Sequence, residues 1–155
     1  MLDIAWTGGS PEDQKAVAEQ HEAYLRANAE FDWEKLRGVY SAQDFATFFN
    51  LNGHVYEGIE HWIRLWQYYI NQQRIGYWTP YEMKGVMSGD LATVWCLRKT
   101  KSDWFGKDDP MSRRANNEEF ISRSTMTFMR EADGWRCVHV HFSNSAIGEE
   151  RPGGV

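Results

Sequence analysis

Cysteine is scarce in this 155-residue chain: only Cys96 and Cys137 occur, with no CxxC pair and no spaced set of partners. That excludes a disulfide framework and sets the expectation of two reduced, buried thiols in a cytoplasmic protein. Long apolar runs are missing as well. Nothing approaches the ~20 residues that span a bilayer, and the first residues lack the basic and apolar regions of a signal peptide, so no membrane partner is expected. Positive charge is in deficit. Against 22 Asp and Glu stand 17 Lys and Arg, a formal net charge of −5, which leaves no basic footprint for nucleic acid. No phosphate-cradling glycine loop, dinucleotide fingerprint or Ser-His-Asp order can be read, so no cofactor is implied.

Aromatic residues, by contrast, reach 15%, with 8 Trp. That much flat apolar surface serves either a core or a pocket for a flat apolar ligand. With 42% hydrophobic and 25% charged residues, the composition is that of one folded domain rather than a disordered chain. Residues 1–146 read as that domain and residues 147–155 as a mobile tail.

Ser10 followed by Pro11, Glu12 and Asp13 marks a helix start: a capping hydroxyl, a proline suited to the first turn, and two acids that complement the dipole. From there Val17, His21, Tyr24, Asn28 and Phe31 recur at spacings of four and three and draw one helix face. A plain packing stripe carries Leu or Ala at such positions, so polar groups facing inward imply hydrogen-bond partners or a wet interior, although His21 could equally emerge at the surface. Asp32 caps a short second helix with Trp33, Leu36 and Tyr40 on one side. Residues 44–56 read as a hairpin around Asn52-Gly53, and residues 59–71 as an aromatic-rich third helix. Strands follow at about 78–88, 91–101, 119–131 and 135–143, the last pair joined by the Asp133-Gly134 turn. The connection 102–118 is longer than a hairpin loop and is expected to be a lid or a subunit contact. Helices first, then a hairpin, a helix and long antiparallel strands predict an α+β domain in which a curved sheet wraps the N-terminal helices.

Two stretches carry a family likeness. Phe31-Asp32-Trp33-Glu34-Lys35-Leu36, followed by Tyr40-Ser41-Ala42-Gln43-Asp44, resembles the opening of the NTF2-like superfamily. The closing Arg123-Ser124-Thr125-Met126-Thr127-Phe128, then Asp133-Gly134-Trp135 through His139-Val140-His141-Phe142-Ser143, resembles its SnoaL-like branch and is similar to the association domain of calcium/calmodulin-dependent kinase II. The resemblance implies an α+β NTF2-like cone, a strongly curved antiparallel sheet around N-terminal helices. It leaves function open, because this fold hosts isomerases, cyclases, dehydratases, hydrolases, lyases and non-catalytic oligomerisation modules. Tyr24 stands eight residues before Asp32, the spacing of the oxyanion-stabilising tyrosine in the ketosteroid isomerases. Their general-base carboxylate has no counterpart, since the matching stretch reads Phe48-Phe49-Asn50. Polyketide cyclases carry an acid/base residue on the last strand, where this chain offers His139 and His141. In the kinase association domain arginines line the interior, for which Arg98 and Arg123 are the candidates.

Each candidate has a plainer reading beside it. Strict alternation puts His139 and His141 on one face with Trp135, Cys137 and Ser143, as pocket acid/base groups or as hydrogen-bonded core or interface residues. Two histidines on a strand are half a metal site and no third ligand follows, so no metal is expected. Arg98 and Arg123 would hold a phenolate, enolate or carboxylate in an enzyme, or pair with Asp or Glu at a subunit interface. Trp33, Tyr40, Asn50, Tyr56 and Trp66 are the candidates for shaping a pocket, and as aromatics they serve equally as core.

The function these readings favour is a cofactor-independent enzyme of lyase, dehydratase, isomerase or cyclase type, acting by acid–base chemistry on an apolar, aromatic or polycyclic small molecule. In it His139 or His141 moves the proton while Tyr24 and an arginine stabilise negative charge. The alternative is a ligand-binding or oligomerisation module without chemistry. A sealed interior with a histidine touching a tyrosine or arginine favours the first, and an interior filled by Trp and Phe favours the second. Large apolar groups on both faces of the last strands predict self-association as a homodimer or, second, a trimer.

Overall fold

The computed structural model describes residues 2–106, 118–145 and Gly153. It is an α+β fold of three helices and, among the described residues, seven strands in one curved sheet that does not close. The connection expected as a lid lies largely outside the described residues, as does the expected mobile tail.

Helix α1 (Pro11–Glu30) begins as the sequence predicts. Ser10 Oγ accepts from the Asp13 backbone N–H at 3.1 Å, and Pro11 occupies the first turn. It ends where Phe31 adopts a left-handed φ of 49° and returns its N–H to the last turn. Asp32 caps α2 (Trp33–Arg37) through the Lys35 N–H at 3.0 Å. Strands β2 (Thr47–Phe49) and β3 (Val55–Glu57) form the hairpin expected around Asn52-Gly53. Helix α3 (Gly58–Tyr69) buries Trp62, Ile63, Leu65, Trp66 and Tyr69.

The long strands are β4 (Gln73–Ser88), β5 (Leu91–Trp104), β6 (Phe120–Glu131) and β7 (Gly134–Asn144). Strand β1 (Ile4–Thr7), which the sequence reading passed over, pairs parallel with β4 and completes the order β1-β4-β5-β6-β7-β2-β3. β2 also runs parallel to β7, and the remaining neighbours are antiparallel. Two glycines let β1 lie close. A Cβ on Gly85 would stand 2.4 Å from the ring of Trp6, its partner in register. Gly8, at φ +76°, turns the chain against the Met87 carbonyl, 2.4 Å from where a Cβ would be.

Strands β4 and β5 run farther than predicted, so residues 102–104 are strand rather than loop. Gly76 sits in a register irregularity between Ile75 and Tyr77, another lies between Tyr81 and Lys84, and the ladder resumes beyond each. A further bulge lies in β7. Phe128 faces Cys137 and Thr127 faces His139, which leaves Val138 without a counterpart on β6. The extra residue resets alternation, so Cys137 and Val140 point to the same, buried side. The expected opposition of Trp135 and Cys137 to Val140 and Phe142 therefore does not occur, and all four are buried. The exposed large apolar groups of the sheet are instead Phe49 on β2, Val55 on β3, and Tyr77, Val86, Leu91 and Trp95 on β4 and β5, the last four offering a surface that a second copy could cover as the expectation of self-association requires.

Candidate active site

Alternation along β5 sends Ala92, Val94, Cys96, Arg98 and Thr100 inward, and all are buried. Arg98 is 0% exposed. Its Nε donates to Ser122 Oγ at 3.2 Å and its Nη1 to Tyr24 Oη at 3.3 Å. The guanidinium carbon lies 4.4 Å from the ring centre of Trp78 and 4.3 Å from that of Phe142. Ring faces stabilise a desolvated cation by about 2 kcal/mol, less than the several kcal/mol that burying it costs. Among the described residues no carboxylate pairs with Arg98, and its Nη2 has no hydrogen-bond partner.

Helix α1 lays His21, Tyr24 and Asn28 along the wall of this interior. Val17, His21, Tyr24, Asn28 and Phe31, the expected face, are all buried. The His21 ring centre is 6.2 Å from that of Tyr24, which is 5.8 Å from Phe142 and 6.2 Å from Tyr40. Both ring nitrogens of His21 and both side-chain polar atoms of Asn28 lack partners among the described residues. Buried polar groups are ordinarily satisfied, so several orphans on one wall mark a place built for polar contact. Burial, then the charge of Arg98, holds the His21 pKa down at about 3, so its imidazole is neutral. Burial pushes the Tyr24 hydroxyl well above its ordinary range even though Arg98 pulls it down, and Tyr40 moves the same way.

The His21 shift sets an acid sensitivity with a definite sign. The unfolded chain protonates His21 below about pH 6.5, while the folded chain keeps it neutral down to about 3. This contribution to stability is complete above pH 6.5 and falls away as the pH drops toward 3. Urea unfolding from pH 7 to pH 4 is expected to show that loss, and a folded His21→Gln variant is expected to show less of it.

The histidines singled out on the last strand lie elsewhere. The Val138 bulge turns His139 and His141 to the outer face, opposite Trp135 and Cys137, correcting their expected inward facing. His141 is exposed, and the half-buried His139 donates from Nδ1 to the Thr47 carbonyl at 2.6 Å. The Phe49 ring lies between them at 4.9 and 5.5 Å. Arg123 is also outward, donating to Ser143 Oγ and the Asn144 carbonyl, so of the two arginines only Arg98 faces inward.

Among the candidate shaping residues, Tyr40 and Trp66 are buried in the interior, with Trp66 5.4 Å from Phe31 and 6.5 Å from Tyr24. Asn50 donates to Tyr69 Oη at 3.1 Å, and Tyr56 accepts from Asn52 Nδ2 while packing 5.5 Å from Trp62. Trp33 is half-buried at the edge of the core. Sequence reasoning missed Ser122 and did not place Trp78 and Phe142 against Arg98. The inward parity of Cys96 and Arg98 was the available signal for what their cross-strand neighbours would be.

Among curated proteins none matches the sequence. Similar solved structures include a protein proposed to be a dehydratase of the NTF2-like family from Streptomyces avermitilis, 18% identical, covering 89% of this chain and 100% of that one at a TM-score of 0.70. An NTF2-like protein of unknown function from Pseudomonas putida KT2440 is 17% identical over 94% of this chain and 100% of that one, at 0.70. A ketosteroid isomerase-like protein from Erwinia carotovora atroseptica is 13% identical over 89% of this chain and 100% of that one, also at 0.70. At these identities the likeness carries the fold, which is NTF2-like. The SnoaL-like domain profile matches residues 17–148, from the first buried turn of α1 to beyond β7, and the chain therefore belongs to the SnoaL-like domain family.

Proposed function

We propose that this protein is an enzyme of the isomerase or dehydratase kind that binds a small, flat substrate inside the sheet and stabilises negative charge developing on one of its oxygens. The observation that carries this reading is Arg98: a fully buried guanidinium with no carboxylate partner among the described residues and one nitrogen unpaired. A fold carries such a charge at a cost, and functional sites are where that cost is met. Tyr24 supports it. Its oxygen accepts from Arg98, which polarises the phenol and leaves its own O–H to donate, and burial keeps that hydroxyl protonated. When a proton leaves the carbon beside a carbonyl, the C–H electron pair forms C=C and the carbonyl oxygen becomes an enolate oxygen. Tyr24 Oη–H and Arg98 Nη2–H would be the two donors to it. The substrate is proposed to be aromatic or polycyclic, matching the rings of Tyr40, Trp66, Trp78 and Phe142.

The ring packing favours a second reading, a ligand-binding module without chemistry, because Tyr24, Tyr40, Phe48, Trp62, Trp66 and Phe142 form one connected aromatic cluster. A thermal-shift screen of aromatic and polycyclic keto and hydroxy compounds, followed by product analysis, separates the two. Turnover that falls about 10²-fold in Tyr24→Phe with the fold intact is the expected result. Binding without turnover would leave the module, and a Tyr24→Phe rate equal to wild type would remove Tyr24 from the chemistry.

A further inference from the structure

We infer that His21 is the proton acceptor of this site and that a bound anion, or an oxygen becoming anionic, at Arg98 is what makes it basic. The inference rests on the proposed role of Arg98 and adds the base that role requires. The stretch matching the ketosteroid isomerase base, Phe48-Phe49-Asn50, holds no carboxylate, and the histidines of β7 face outward. His21 lies one turn before Tyr24 on the same buried face of α1, and the ring centres are 6.2 Å apart. It is fully buried, and neither ring nitrogen has a partner among the described residues. A ring buried for packing alone is normally tied by one nitrogen to a carbonyl or hydroxyl. His21 is instead held neutral by burial and by the field of Arg98.

The groups around it leave Arg98 as the charge that can change the balance. Tyr24 on α1 and Tyr40 after α2 stay protonated, as do Cys96 on β5 and Cys137 on β7, whose thiols burial pushes up. From β6, Phe128 packs 6.4 Å from His21 and carries no charge. The charged residues of β4, namely Arg74, Glu82 and Lys84, and those of α2, namely Glu34, Lys35 and Arg37, are exposed. Neutralising Arg98 with a negative oxygen removes the repulsion and supplies an attraction, and both favour imidazolium. The device is self-timed: the base gains strength as the enolate it creates develops.

The test follows His21 by its ring-nitrogen resonances in the 15N-labelled protein, assigned by their loss in His21→Asn. If that variant does not fold, the assignment uses protein with His54, His61, His139 and His141 replaced by Gln. The probes are 2-naphthoate and its neutral counterpart 2-naphthamide, with binding followed by thermal shift. In the free protein, or with 2-naphthamide, His21 is expected to stay neutral from pH 5 to pH 8. With 2-naphthoate bound, its midpoint is expected to rise by about two pH units or more and enter that window. Bound 2-naphthoate with His21 still invariant overturns this inference and leaves the role of Arg98 standing. Failure of 2-naphthoate to bind, or equal binding to Arg98→Gln, overturns the Arg98 reading and this inference with it.

Discussion

Arg98→Met is expected to abolish binding of flat aromatic anions without weakening the fold. Methionine fills a similar volume between the Trp78 and Phe142 rings and removes a buried charge that has no carboxylate partner among the described residues. Replacing buried charge with well-packed apolar groups is often neutral or stabilising by about 1–4 kcal/mol. Two hydrogen bonds are lost against that gain, to Tyr24 and Ser122, but Ser122 Oγ keeps Thr100 Oγ1 at 2.9 Å. Affinity moves the other way. Removing one partner of a desolvated charge pair costs about 2–5 kcal/mol, so 2-naphthoate is expected to bind about 10²-fold more weakly or worse. Calorimetric titration and thermal denaturation of one sample measure both. A variant that loses stability and keeps its affinity would make Arg98 an ordinary structural residue.

Trp62→Ala is expected to be the most damaging change to the fold itself. Trp62 is fully buried and meets Tyr40, Phe48, Tyr56 and Trp66 at ring-centre distances of 5.8, 5.1, 5.5 and 5.7 Å. It ties α3 to Phe48 of β2 and Tyr56 of β3. Truncation removes the burial of the largest side chain and leaves a cavity among rigid rings that cannot collapse, at a cost of about 3–5 kcal/mol. For a domain of this length that corresponds to a fall in Tm of about 10 °C or more. Urea denaturation checks the energy, and a change of under about 1 kcal/mol would show that α3 is held by other means.

Local chemistry made much of this fold legible in the sequence. The Ser10-Pro11 cap, the Asn52-Gly53 turn and the buried face of α1 each follow from rules that act within a few residues. β1 was missed because four residues are too few for alternation to register, and its place is fixed by Gly85 far along the chain. The facing of β7 was misread because a bulge is a property of two strands, and nothing in the β7 sequence alone shows where β6 leaves a residue without a counterpart. The two arginines show the limit most clearly. Both were candidates for the interior, and alternation alone does not say which side of a strand is inside. On β6 the buried side carries Ser122 and Ser124, while Ile121 and Arg123 lie on the other side, so hydropathy misleads at that end of the strand. The inner side is polar there because it faces Arg98. The feature that defines the site is thus the one that hides its position from a hydrophobic pattern.

Val138 makes the length of β7, more than its composition, the guardian of the interior. The bulge also divides the strand's loyalties: Cys137 bonds through its N–H and carbonyl to Val39 and Ser41, while residues 139–141 pair with β2. An in-frame loss of the Val138 codon would straighten the ladder and still keep Cys137, Val140 and Phe142 on the inner side. An added codon at the same point, with the bulge still absorbing one residue, would turn Val140 and Phe142 outward and take one ring of the Arg98 clamp with them. Both residues taken into a regular ladder would instead keep that facing and shift the register. Tolerance of this strand to gain and loss of residues is therefore expected to be asymmetric, with the interior around Arg98 spared by shortening and put at risk by lengthening.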